Sequence, residues 1–174
     1  MGQQQLLLLV LGIVIVGLAV VVGISSFTEN QEKSEIDRYT AIGVEMAGEL
    51  IAWYKTPSAM GGGGEQTASL GAITIEDLGY TIDATQSTNY AGTDMTGTNE
   101  AGILKYVAQS SVHPYFHIHA MPRAVGMMRV EVHLFGPTPD CFVTRYGRWQ
   151  TEGWSDGKAE GTAPDNPDAT NCTW

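Results

Sequence analysis

The chain has no basic residue ahead of Lys33 and no proline ahead of Pro57. Secretory signals and ordinary signal anchors carry Lys or Arg before their apolar core, and Met1 to Gln5 carries none. Either insertion follows another rule or a basic leader has been removed; removal is the expectation adopted here. Without proline, nothing breaks a helix over the first third of the sequence. Positive charge is scarce throughout: 9 Lys and Arg stand against 19 Asp and Glu, for a formal net charge of −10. Such a surface repels phosphates, so no nucleic-acid partner is expected. Only two cysteines occur, Cys141 and Cys172, and a tetrahedral zinc site needs four ligands. No Ser/His/Asp order, G-x-S-x-G, H-E-x-x-H or P-loop pattern is present, so no enzyme and no cofactor are expected. Gly61–Gly64 lacks the Lys-Ser/Thr of a phosphate cradle and reads as a linker.

What the sequence does contain is a nearly unbroken apolar run from Leu6 to Ile24, interrupted only by Gly12, Gly17 and Gly23. A run of about 19 residues is long enough to cross a bilayer as a helix. Exposing it to water would cost tens of kcal/mol, at roughly 1.5–3 kcal/mol per large apolar side chain. The segment therefore belongs in lipid or against copies of itself. The three glycines allow close helix–helix approach or local loosening, or simply reflect how common glycine is in membrane helices.

From Ser25 the sequence turns charged but keeps a helical period. Ile36, Tyr39, Ile42 or Gly43, Met46, Leu50 and Trp53 or Tyr54 recur at spacings of three and four, forming one apolar stripe. One rod of about 50 residues, about 75–80 Å long, is expected to end at Pro57 and Gly61–Gly64. Residues 58–100 are rich in Gly, Thr, Ser and Asn. Within them, Ile75–Leu78 is expected to form a short helical turn and Ser87–Asn99 an exposed loop. The loop's threonines are either acceptors for O-linked sugars or plain solvated residues.

Strand-like segments follow at Ile103–Gln109, Tyr115–Met121, Met127–Phe135 and Cys141–Thr151, separated by Pro, Gly or Asp. Val130, Val132 and Leu134 alternate onto one face. The expected fold is α+β, with an antiparallel β-meander covering the helical stripe. The division is 1–26, apolar helix; 27–56, amphipathic stem; 57–100, connecting loop; and 101–174, sheet with a polar C-terminal loop.

The two cysteines read as one disulfide closing a loop of about 30 residues, worth about 3–4 kcal/mol; the alternative is two buried free thiols. His117 and His119 share a strand face, with His113 and His133 nearby. They are candidate metal ligands, but solvent-facing sheet positions are expected and no metal site is assigned. Asp156, Glu160, Asp165 and Asp168 are candidate calcium ligands without the EF-hand pattern. Asn171-Cys172-Thr173 is formally a glycosylation triplet, and a poor one if Cys172 is cross-linked.

An apolar N-terminal helix without a basic flank, an amphipathic stem, a Gly/Thr-rich loop, a β-meander and a late cysteine pair together resemble the type IV pilins. The likeness is architectural over the whole chain and specific in sequence only over about residues 1–54. It implies a leader cut by a prepilin peptidase, with Met1 as the new, methylated N-terminus. It implies a single-pass inner-membrane intermediate, assembled by an inner-membrane platform and its ATPase-driven motor into an extracellular homopolymer. The implied helix-core residues are Gln5, Leu6, Leu9, Val10, Ile13, Val16, Val20 and Ile24, and the cysteine pair would be Cys141–Cys172. Two departures stand out: Gln5 replaces the family's usual glutamate, and the usual helix-breaking proline is missing. The alternatives are a pseudopilin of a type II secretion system and a monomeric membrane-anchored binding module.

Overall fold

The computed structural model describes residues 2–71, 73–74, 76–80, 95–99, 102–108, 114–119, 128–148, 153–158 and 162–174. The architecture is α+β, as expected: one long N-terminal helix, α1 (Gly2–Lys55), and an antiparallel meander. Two compact units result, residues 1–35 and residues 36–174. The division falls about two and a half helical turns beyond the expected boundary at 26/27. Residues 27–35 thus group with the apolar segment rather than with the sheet-bearing unit.

The first unit is helical from Gly2, and none of its large apolar side chains is buried. Near the end of the apolar run, Ser25 Oγ donates to the Val21 carbonyl and Thr28 Oγ1 to the Ile24 carbonyl. Hydroxyls bonded back to their own helix satisfy themselves without an outside partner.

The second unit holds the core. Strands β1 (Met95–Asn99), β2 (Gly102–Ala108), β3 (Pro114–His119), β4 (Met128–Leu134) and β5 (Phe142–Arg148) pair in sequence order, every neighbour antiparallel. Four match expected strands. The fifth, β1, corrects the expected loop: Met95–Asn99 pairs with β2, while residues 87–94 lie outside the described residues. In MTGTN the two threonines favour a strand but Gly97 and Asn99 do not, so its strand state leans on ladder pairing with β2.

One face of β3 and β4 presents Phe116, Ile118, Val130, Val132 and Leu134, all at most 1 % exposed. They pack against Tyr39, Met46, Ala47, Leu50 and Tyr54 of α1. The two ambiguous stripe positions resolve as Gly43 and Tyr54, which are buried, while Ile42 and Trp53 are partly so. At Gly43 the helix backbone approaches the sheet closely. A Cβ there would lie 2.5 Å from Val132 Cγ2 and 2.8 Å from Ile118 Cδ1.

Gly61–Gly64 is more than a linker. It folds back over the end of α1, where Gly63, Gly64 and Glu65 donate backbone N–H groups to the carbonyls of Trp53, Thr56 and Tyr54. Carbonyls that a helix leaves orphaned at its C-terminus are thereby satisfied. Glycine is required because a Cβ at Gly62 would meet the Thr56 carbonyl, and Gly61 and Gly64 take positive φ. The short turn expected at Ile75–Leu78 appears as a 3-10 turn over Glu76–Leu78. It is opened by reciprocal hydrogen bonds between Thr74 and Asp77.

Candidate functional site

Two features of the surface and its underlay bear on function. The first is the apolar segment of α1. Residues 2–28 contain no ionisable side chain. Leu6, Leu9, Val10, Ile13, Val16, Val20 and Ile24 are 50–66 % exposed, and Gln5 is exposed ahead of them. The segment is long and apolar enough to cross a membrane, which is compatible with a membrane anchor or a signal-like segment. At 100° per residue, Gly12, Ala19 and Gly23 fall within about 40° of one another, leaving one side of the helix shallow. Nothing lies within 4 Å of a Cβ built at Gly12, Gly17 or Gly23. That side was readable from the sequence by adding Ala19 to the glycines. Met1, the expected processed terminus, lies outside the described residues.

The second feature corrects the sequence reading. Solvent-facing sheet positions were expected for His117 of β3 and His133 of β4, which lie beside Arg129 and Glu131 of β4. All four are at most 6 % exposed. The strand is covered on both sides, by α1 on its apolar face and by the C-terminal segments on its polar face. Register brings the cluster together: Glu131 sits between His117 of β3 and Arg145 of β5. Arg145 Nε and a terminal guanidinium nitrogen donate to Glu131 Oε2 at 2.8 and 2.6 Å. His133 Nε2 lies 2.8 Å from the same oxygen, and His117 Nδ1 lies 3.5 Å from Oε1. The carboxylate accepts only, so the His133 proton resides on Nε2.

Trp154 closes the cluster from above, 5 % exposed. The guanidinium carbons of Arg129 and Arg145 lie 4.0 and 4.2 Å from its ring centroid. Arg145 also donates to the Thr162 carbonyl and lies 3.6 Å from Asp156. Burial alone would raise the Glu131 carboxyl. The His133 hydrogen bond and the charges of His117, His133 and Arg145 outweigh it and bring the group to about 2. Burial holds the His133 imidazole below its ordinary value, against the pull of Glu131. Among these groups Arg145 is the one whose charge does not depend on pH, because a guanidinium stays protonated at any accessible pH.

This donor set does not suit a cation. Glu131 is already engaged by Arg145 and the imidazoles, and two guanidiniums stand beside it. Among the described residues no group of His, Cys, Asp and Glu is arranged to hold a metal ion. His113 and Glu160 lie outside the described residues, as does the side chain of His119. The remaining acidic candidates act singly. Asp165 accepts from Lys158 Nζ at 2.7 Å. Asp156 accepts from the Lys158 N–H, and Asp168 from Thr170 and Asn171. These carboxylates build turns rather than converge.

Cys141 and Cys172 form a disulfide, with Cα atoms 5.3 Å apart. Around it Phe135 and Val143 make a small apolar cluster. The adjoining Trp174 donates its indole N–H to the Leu134 carbonyl and meets the Tyr54 ring edge-on at 5.1 Å. The C-terminal stretch is thus anchored at three points: Trp154, Cys172 and Trp174. The aromatic pair was the missed signal, since a polar stretch holding two tryptophans has apolar surface to bury. Compared against protein-family profiles, curated proteins and solved structures, the chain matches none of them.

Proposed function

We propose that this chain is the structural subunit of an extracellular filament of the type IV pilus kind, polymerised through the apolar segment of α1. The observation that carries the proposal is the Leu6–Ile24 surface, fully helical, unburied and free of ionisable groups. A surface of that size demands an apolar environment. Before assembly the bilayer supplies it, and the chain is a single-pass membrane protein. After assembly sister helices supply it, with Leu6, Leu9, Val10, Ile13, Val16, Val20 and Ile24 in the bundle. The shallow side at Gly12, Ala19 and Gly23 lets neighbouring helices approach closely.

The exchange moves an apolar helix from one apolar medium to another, so it gains little hydrophobic free energy. Packing and polar contacts hold the product, and assembly machinery supplies the work of extraction. Gln5 carries a carboxamide that cannot neutralise a neighbour's ammonium group. Gln3 to Gln5 therefore satisfy the N-terminal region by hydrogen bonding rather than by an ion pair. A Gln5→Glu variant that assembled far better than the wild type would refute that account.

A membrane-anchored monomer is favoured by the same span, since the segment crosses a bilayer as readily as it joins a bundle. Shearing cells and imaging the released material by cryo-electron microscopy separates the two readings. The filament reading expects fibres built from this chain, with Val10 and Val20 against sister helices. Protein confined to the membrane fraction and absent from sheared fibres would overturn it in favour of the monomer.

A further inference from the structure

The last turns of the first compact unit, residues 27–35, differ from the rest of α1. The second unit, the sheet-bearing head, begins at Ile36. Residues 27–35 are all exposed except Glu32, which is partly buried. Phe27, 65 % exposed, is the last large apolar side chain before Ile36. Residues 28–35 read TENQEKSE and are polar on every side of the helix. Such a helix draws stability from neither an apolar core nor a bilayer. Its composition adds little: Ser25, Ser26, Phe27, Thr28, Asn30 and Ser34 are weak helix formers, and neither Ala nor Leu occurs between Ser25 and Ile36. The hydroxyls of Ser25 and Thr28 bond back to the Val21 and Ile24 carbonyls, a pattern that loosens a helix.

We propose that residues 27–35 are a cleavage site for a glutamate-selective endoprotease, which frees the head from the apolar segment. Water adds across the peptide bond after Glu29, Glu32 or Glu35. A carboxylate is left on the apolar fragment and an amine on the head fragment. The side chains choose the class of protease. The stretch holds three glutamates against one lysine, Lys33. A protease that selects basic residues carries a carboxylate in its pocket, and Glu32 and Glu35 beside Lys33 repel it.

A protease takes its substrate extended, so a helical bond is cut from a locally opened state, at a rate set by how often that state occurs. Opening residues 27–35 breaks backbone hydrogen bonds that water replaces. Opening the same helix at Glu45 or Glu49 would also expose Met46, Ala47 and Leu50, each 0 % exposed. The head survives the cut. Among the described residues the buried core begins at Tyr39, with Ile36 packed at its margin, and the disulfide joins Cys141 to Cys172. Any of the three cuts leaves that core whole. The freed head lacks the apolar run and so leaves the membrane. Both readings given above hold this stretch as helix in the unassembled chain, so the inference rests on neither.

Digestion of the full chain in detergent micelles with a glutamate-selective serine endoprotease tests this, with the initial rate at each bond read by mass spectrometry. Cuts after Glu29, Glu32 and Glu35 should outpace those after Glu45 and Glu49 by at least tenfold. The head fragment should leave the micelle with its near-ultraviolet circular dichroism unchanged. A Thr28→Ala/Asn30→Ala variant strengthens the helix and keeps every glutamate. It should be cut at least threefold more slowly after Glu32 and Glu35. The proposal is overturned if bonds in this stretch are cut no faster than those after Glu45 and Glu49, if the head loses its dichroism on release, or if the variant is cut as fast as the wild type. Should the variant not fold, amide hydrogen exchange of the wild type decides. Amides of residues 29–35 should exchange at least tenfold faster than those of residues 45–50, and equal protection would also overturn the proposal.

Discussion

Two glycines on the same face-alternating stretch of α1, Gly43 and Gly48, should respond to alanine with opposite signs. At Gly48 the new methyl group meets nothing within 4 Å. The substitution there removes glycine's helix penalty and should stabilise the protein by up to about 1 kcal/mol. At Gly43 the same propensity gain applies, but the methyl would overlap Val132 Cγ2 at 2.5 Å and Ile118 Cδ1 at 2.8 Å. The Ile118 terminus can swing aside. Val132 is β-branched, 0 % exposed and fixed in the central ladder, so the helix must lift from the sheet instead. Overpacking a filled core costs about 1–3 kcal/mol. Net, Gly43→Ala should destabilise by about 1–2 kcal/mol, and the gap between the two variants should equal the packing cost. Urea denaturation of the full chain in detergent, followed by near-ultraviolet circular dichroism, measures both. Adding Val132→Ala to Gly43→Ala should recover part of the loss, a coupling of about 1 kcal/mol or more in a double-mutant cycle. Equal stability of Gly43→Ala and Gly48→Ala would refute the close approach on which the core geometry depends.

The buried cluster gives a second expectation: Glu131→Gln should cost about 3–5 kcal/mol by removing the carboxylate that Arg145 bonds through two nitrogens, read by the same denaturation. Stability should also fall in two acid steps. His133 is held below its ordinary value, so the unfolded chain binds the extra proton and stability declines as pH drops below about 6.5. Glu131, lowered from 4.5 to about 2, contributes about 3 kcal/mol that is complete above pH 4.5 and is lost toward pH 2; thermal unfolding across pH checks both steps. Cys172→Ser should cost about 3–4 kcal/mol and speed proteolysis within residues 162–174, since the disulfide closes a separation of 31 residues. Val10→Lys or Val20→Lys should abolish recovery of the chain in sheared fibres while leaving the folding of residues 36–174 intact, as circular dichroism of the expressed chain would show.

Much of the fold is legible residue by residue. The apolar run names its own environment. The stripe from Ile36 to Trp53 or Tyr54 names the face that a sheet must cover. Val130, Val132 and Leu134 name the sheet face that covers it. Periodicity is a local property, and each of these signals lies within one element. The strand at Met95–Asn99 is not legible, because MTGTN becomes a strand only when β2 lies beside it.

The environment of the other sheet face is also beyond local pattern. Alternation in RVEVHLF assigns Arg129, Glu131 and His133 to the face opposite the core, and by itself that face looks wet. Whether water reaches it depends on where residues 153–174 return, and that depends on Trp154, the disulfide and Trp174 finding partners far along the chain. Sequence by itself therefore determined the helix, its apolar segment, the core face of the meander and the cysteine pair, because each follows from side-chain period or residue type. Tertiary structure alone decided that Gly43 lies close against the sheet and that Glu131 pairs with buried Arg145 beneath Trp154. Those features arise from contacts between residues distant in sequence, and no periodicity within one segment encodes them.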